Sequence, residues 1–180
     1  MFMAEELKEN WLNYLALTTV ILAVCATLST FKGAGYSTRS VLSQTQAANQ
    51  WAYYQAKSIK GYLYEIQKEA LELEFKKDKI RGAKAFKEEY EKKIDLYTQK
   101  IKKYDEEKAE ISKEAKRLEI IRDDAQKHAG IFGLAVIFLQ IAILLSSIAA
   151  LMKKKVIWVI GIGTGAIGLI YFANGFLLFF

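Results

Sequence analysis

Residues 129 to 152 read AGIFGLAVIFLQIAILLSSIAALM, a run with no charged residue and a single amide, Gln140. A helix needs about 20 apolar residues to cross the hydrocarbon of a bilayer. This run is long enough, and it is too uniform for the core helix of a water-soluble protein. Lys153-Lys154-Lys155 follows at once, and then a second uncharged run, 156–180, which reads VIWVIGIGTGAIGLIYFANGFLLFF. A third uncharged run, 11–31, lies near the N-terminus behind a short tail, 1–10. The sequence therefore predicts an all-α integral membrane protein. Its transmembrane helices are expected over 11–31, 129–152 and 156–180, with 153–155 as a basic connector and the lipid bilayer as first partner.

Composition agrees. The chain has 180 residues and no proline, where roughly nine would be expected at about 5% usage. Proline interrupts helices, so its absence points to long helices with few irregular connections. The chain is 52% hydrophobic and 26% charged, and the two populations are segregated along it. One cysteine, Cys25, excludes an intramolecular disulfide framework, and one histidine, His128, argues against a His-rich metal site.

The tail ahead of the first run carries Glu5, Glu6 and Glu9 against Lys8. Secretory signals begin positive, so the first run reads as a retained anchor. Short basic loops mark the cytoplasmic side. The three-lysine connector therefore places the N-terminus in the cytoplasm and residues 32–128 on the extracytoplasmic side of an inner (cytoplasmic) membrane. Lys32, Arg39, Lys116, Arg117, Arg122 and Lys127 flank the spans on the other side. A segment beyond about 60 residues, however, crosses largely regardless of its charge.

That middle segment holds 22 Lys/Arg and 17 Asp/Glu, and it has a countable seven-residue apolar period. In its first half Ala52, Ile59, Ile66, Leu73 and Ile80 recur every seven residues, with Ala56, Leu63 and Ala70 interleaved and Lys77 breaking that second row near the tip. In its second half Tyr90, Tyr97, Tyr104, Ile111, Leu118 and Ala125 do the same, interleaved by Ile94, Ile101 and Ala115, with Lys108 and Arg122 as charged exceptions. This is the a/d seam of a coiled coil. Leu73 and Tyr90, Ile66 and Tyr97, Ile59 and Tyr104, and Ala52 and Ile111 are mirror pairs about a point beside Gly82. Glycine tolerates the positive φ of a tight reversal. The expectation is a long antiparallel coiled-coil hairpin over 32–128, its tip at Gly82, its arms reaching on the order of 65 to 70 Å at 1.5 Å per residue. Gly33 and Gly35, and Gly130 and Gly133, are expected to loosen the arms where they meet the spans.

One band exceeds what a hairpin needs. From Ser40 to Ala56 no charge occurs, although a solvated helix face normally carries some. Gln50, Trp51 and Tyr54 fall in this band, and Trp51 and Tyr54 lie on a different face from Ala52 and Ile59. Three readings compete: packing between subunits, the lining of a polar vestibule in an oligomeric pore, and anchoring of aromatic rings at the headgroup level. Within the same region, Asn49 to Gly61 reads NQWAYYQAKSIKG. This stretch resembles the signature of a family of small bacterial membrane proteins known only as a domain of unknown function. The resemblance extends over nearly the whole chain. It implies a bacterial membrane protein with one N-terminal span, a charged helical middle and a closing helical pair, and it brings no activity, ligand or catalytic residue.

In the third span Gly161, Gly165 and Gly168 share a helix face, and Gly161 and Gly165 form a small-xxx-small pair that lets helix backbones approach in lipid. They are expected to pack against Ser146, Ala149 and Ala150 of the second span or against another subunit. The Gly-x-Gly-x-Gly run is no nucleotide loop, since neither a strand nor a Walker lysine accompanies it. Gln140 and Asn174 are intramembrane amides expected to bond another helix. His128 reads as a polar residue where hairpin and membrane meet.

No catalytic, cofactor-binding or metal-binding residue is expected, and the mixed charge of 32–128 argues against nucleic acid. The sequence predicts a non-enzymatic, homo-oligomeric membrane scaffold, with room for an unidentified protein partner at the hairpin. The alternative is an oligomeric channel whose vestibule is lined by residues 40–56.

Overall fold

In a computed structural model of the protein, the backbone is described over residues 2–78 and 84–179, and side chains over 10–76 and 87–179. Gly82, the expected tip, and Ile80, the last member of the expected first-half row, lie outside the described residues. The elements are α1 (Phe2–Asp78), α2 (Lys84–Met152) and α3 (Lys155–Leu177). Among the described residues there is no strand, in line with the missing β-period and the missing prolines. All three helices are long and apolar enough to cross a membrane, judged by length and composition. Helix α1 runs unbroken through Gly33 and Gly35, and α2 through Gly130 and Gly133. An isolated glycine costs about 1 kcal/mol in a helix interior. That is too little to stop a helix whose flanking turns are all satisfied.

The chain forms two compact units, residues 1–42 with 121–180, and residues 43–120. In the first unit α2 presents an inner face repeating every seven residues. Phe132, Leu139 and Ser146 interleave with Ala135, Ala142 and Ala149, and all six are buried. Leu22 and Ala26 of α1 pack on Leu139 and Ala142, while Trp11 and Leu15 pack with Ala149, joined by Ile157 and Trp158 of α3. The Trp11 and Trp158 rings lie 6.1 Å apart, and the Trp158 indole donates to Thr18 Oγ1 at 3.2 Å. Much of the outward surface of the three apolar segments is itself apolar: Leu17, Val20, Val24 and Phe31 of α1, Ile137 and Leu144 of α2, and Val159 and Ile170 of α3 are exposed.

Between α2 and α3 the chain turns through Lys153, at φ 54°. Lys153 N–H donates to Ala150 O and Lys154 N–H to Ala149 O, at 3.4 and 3.2 Å. This pair of bonds is a Schellman closure with lysine at the left-handed position usually held by glycine. The α3 N-cap, Lys154, is extended and makes no side-chain cap. The charge cluster here is kept at the expense of good capping chemistry.

In the second unit the two helical segments lie side by side and run in opposite directions. Phe75 meets Tyr90 at 6.0 Å between ring centroids. Tyr64 meets Tyr97 at 5.5 Å and Tyr104 at 5.8 Å. Further along, Lys57 meets Glu107 at 2.6 Å. The α2 side of this contact uses the expected residues: Ile111, Ala115 and Leu118 are buried, and Tyr90, Ile94, Tyr97, Ile101, Tyr104 and Lys108 are partly buried. The α1 side does not. The residues turned inward are Ser43, Ala47, Gln50, Tyr54, Lys57, Gly61, Tyr64, Lys68, Leu71 and Phe75. Ile59, Leu63, Ile66 and Leu73, expected in the seam, are 53 to 63% exposed. The inward face carries the larger rings and the complementary charge. Aromatic side chains bury about 150 to 250 Å² each, more than the aliphatic row can offer, and Lys57 finds its counter-ion only in this orientation.

Candidate functional site

The polar band splits by helix face. Trp51 and Tyr54 turn toward α2 of the same chain. The Trp51 indole donates a 2.8 Å hydrogen bond to Glu119 Oε1, and its ring meets Tyr54 edge-on at 5.6 Å. Gln50 is partly buried beside them, and Ser43 and Ala47 are buried. These residues therefore make contacts within the chain. The same helix leaves Ala52, Ala56, Ile59, Leu63, Ile66, Ala70 and Leu73 exposed, a continuous apolar row at a/d spacing.

Lys57 is the electrostatic centre of the second unit. Its ammonium sits 2.6 Å from Glu107 Oε2 and about equally far from two ring centroids, 5.2 Å from Tyr53 and 5.4 Å from Tyr104. The hydrogen bond to Glu107 raises the Lys57 pKa above its ordinary value. The same bond, with help from Lys103 and Lys60, holds the Glu107 carboxyl below its ordinary value. The stem of Lys57 lies along the aromatic seam while its head is paired, which is how a lysine occupies a seam position at low cost.

In the first unit the glycine face of α3 is used inside the chain. A Cβ on Gly161 would meet Ala142 O and Leu145 Cβ at 3.3 Å, one on Gly165 would meet Leu22 at 3.0 Å, and one on Gly168 would meet Leu139 Cγ at 2.8 Å. Backbone approach this close is what small residues allow between helices. Ser146, against Gly161, is buried, and its hydroxyl makes no hydrogen bond among the described residues.

The two amides of the apolar segments, Gln140 and Asn174, have opposite surroundings. Asn174 is fully buried; its Oδ1 accepts from Phe179 N–H at 2.8 Å and its carbonyl from Leu178 N–H at 2.8 Å. It therefore closes the C-terminus of α3. Gln140 faces outward from α2.

Sequence reasoning assigned His128 to a boundary without finding its partners. Its Nδ1 lies 2.7 Å from Gly175 O; a carbonyl can only accept, so Nδ1 carries the hydrogen. The imidazole stacks on Tyr36 at 4.4 Å, and Tyr36 in turn stacks near Phe132 at 6.0 Å. A donor at the C-terminus of a helix complements its free carbonyls and its dipole. This cluster ties α1, α2 and α3 together. The available signal was that His128 lies on the same helix face as Ala125 and Phe132. Among the described residues no group of His, Cys, Asp and Glu could hold a metal ion.

Three long helices with apolar segments and two compact packing units define an all-helical protein of membrane-type composition. The chain belongs to the family described as a domain of unknown function (DUF4337), whose model matches residues 11–178. No curated protein and no solved structure matches it.

Proposed function

We propose that the protein is a non-enzymatic, homo-oligomeric scaffold of the bacterial inner membrane. Its three apolar segments lie in the bilayer, its N-terminus is cytoplasmic, and residues 32–128 form a coiled-coil hairpin on the extracytoplasmic side. The observation that carries the reading is the exposed α1 row, Ile59, Leu63, Ile66 and Leu73. Scattered exposed apolar residues need no explanation, but a row at strict a/d spacing is the seam of a helix–helix contact whose partner is missing. A second copy supplies the same row. Copies sharing one membrane and one topology present it in parallel, so that each layer meets itself.

The pore reading has less to stand on. Asn174, placed near its axis, is spent on the end of α3, and the inward part of the polar band is occupied by Trp51, Tyr54 and their partners. No ring-forming charge lies inside any span to select an ion.

The test is the mass of the full chain in a mild detergent or in nanodiscs, by light scattering or mass photometry. The scaffold reading expects an oligomer that Ile59→Glu with Ile66→Glu dissociates, while Glu88→Lys, away from the row, leaves it intact. A monomeric wild type would refute it, and so would equal effects of the two changes. Flux of small ions through liposomes carrying the protein would favour the pore instead.

A further inference from the structure

We infer that α2 pairs with α2 of a second copy inside the bilayer, through an outer seam centred on Gln140. The inference rests on the membrane reading above. Helix α2 carries two heptad faces over the same stretch. The inner one, described above, is filled by α1 and α3 of its own chain. The outer one runs through Gly130, Gly133, Ile137, Gln140, Leu144 and Ser147, alternating three and four residues, and all six are exposed. A Cβ on Gly130 or on Gly133 would meet nothing within 4 Å, so the chain itself makes no use of these two gaps.

The amide at the centre of the seam decides the occupant. Gln140 is the twelfth residue of a 24-residue uncharged run, hence roughly 17 Å from either end at 1.5 Å per residue. Its side chain is far too short to reach either headgroup region. It makes no side-chain hydrogen bond among the described residues, and acyl chains offer neither donor nor acceptor. A glutamine amide carries both, an NH₂ and a carbonyl oxygen, so it is its own complement. In a parallel pair, positions of one heptad class face their own equivalents. Gln140 then meets Gln140 of the second copy at the same depth, each NH₂ donating to the other's oxygen, while Gly133 and Ser147 let the backbones approach on either side. Neither lipid nor an apolar partner helix satisfies the amide in this way.

The test uses the full chain in liposomes, with Cys25→Ser as background and mild oxidation as the probe. Gln140→Cys is expected to form a disulfide-linked dimer. Ile167→Cys, exposed on α3 beside Gly168, which itself sits on Leu139, matches the depth and is expected to stay monomeric. In the unmodified background Gln140→Leu should weaken dimerisation about three- to thirty-fold, the range for one interhelical polar contact in lipid, and Gln140→Asn should weaken it less. Equal cross-linking at the two positions, or a cross-link only to a different protein, overturns the inference. Ile66→Cys separates the two readings. If Ile66→Cys cross-links and Gln140→Cys does not, the seam falls and the scaffold stands; if neither does, both fall.

Discussion

Lys57 Nζ lies 2.6 Å from Glu107 Oε2, joining the two antiparallel segments of residues 43–120 by one ion pair set among tyrosines. Both partners are partly shielded, with side chains 17 and 32% exposed. That places the pair between a free surface bridge, whose net worth is small, and a buried one, whose disruption strands a charge.

A pH dependence follows from this geometry. Glu107 binds its proton less readily when folded, because Lys57 donates to its carboxylate. Its contribution is therefore present above the ordinary value of 4.5 and disappears as pH falls through the lower, folded one. Lys57 holds its proton more tightly when folded, so its contribution is present below 10.5 and is lost as pH climbs through the raised value. Thermal unfolding of the full chain in detergent, followed by circular dichroism, should show wild type more stable than Glu107→Gln at pH 7. The gap should begin to narrow as pH falls below 4.5, where the unfolded chain takes up the proton first. A gap unchanged on acidification through and below 4.5 would show that the ionised pair is not its source.

The glycine face of α3 makes a paired prediction. Gly168→Ala puts a methyl group 2.8 Å from Leu139 Cγ and 3.0 Å from Leu139 N, and the backbone contact cannot give way without moving α3. Overpacking of this kind costs about 1 to 3 kcal/mol. Gly163→Ala, with nothing within 4 Å, should instead gain up to about 1 kcal/mol in helix propensity. Unfolding in mixed micelles should rank them in that order, with wild type between.

Lys153 offers the third. Its left-handed φ of 54° costs a residue with a Cβ roughly 1 kcal/mol relative to glycine. Lys153→Gly keeps both closing bonds and relieves that cost, partly offset by the greater freedom of glycine in the unfolded chain. A rise in the unfolding midpoint is expected. Lys153→Val, β-branched at positive φ, should lower it.

Much of the fold was legible before any coordinates. The absence of proline and of a two-residue period left only helices, and the uncharged runs placed three apolar segments. The α2 side of the antiparallel contact could be counted from Tyr90 to Leu118, because that helix has one dominant apolar row in this region. His128 was harder. A single histidine has no pattern, and its partners Tyr36 and Gly175 lie 92 and 47 positions away.

The α1 side separates what sequence and tertiary structure each decided. On this helix the row of Ala52, Ile59, Ile66 and Leu73 and the face of Tyr54, Gly61, Tyr64 and Phe75 are both spaced for burial. Periodicity announces that a face wants a partner without naming the partner. The choice fell to the opposing helix, where Tyr104 stacks on Tyr64 and Tyr97 packs against it at a tilt, and where Glu107 and Glu119 receive Lys57 and Trp51. The sequence alone determined that α1 has two sticky faces. Only the packed structure determined which one is satisfied at home, because ring stacking and charge pairing are properties of two helices together.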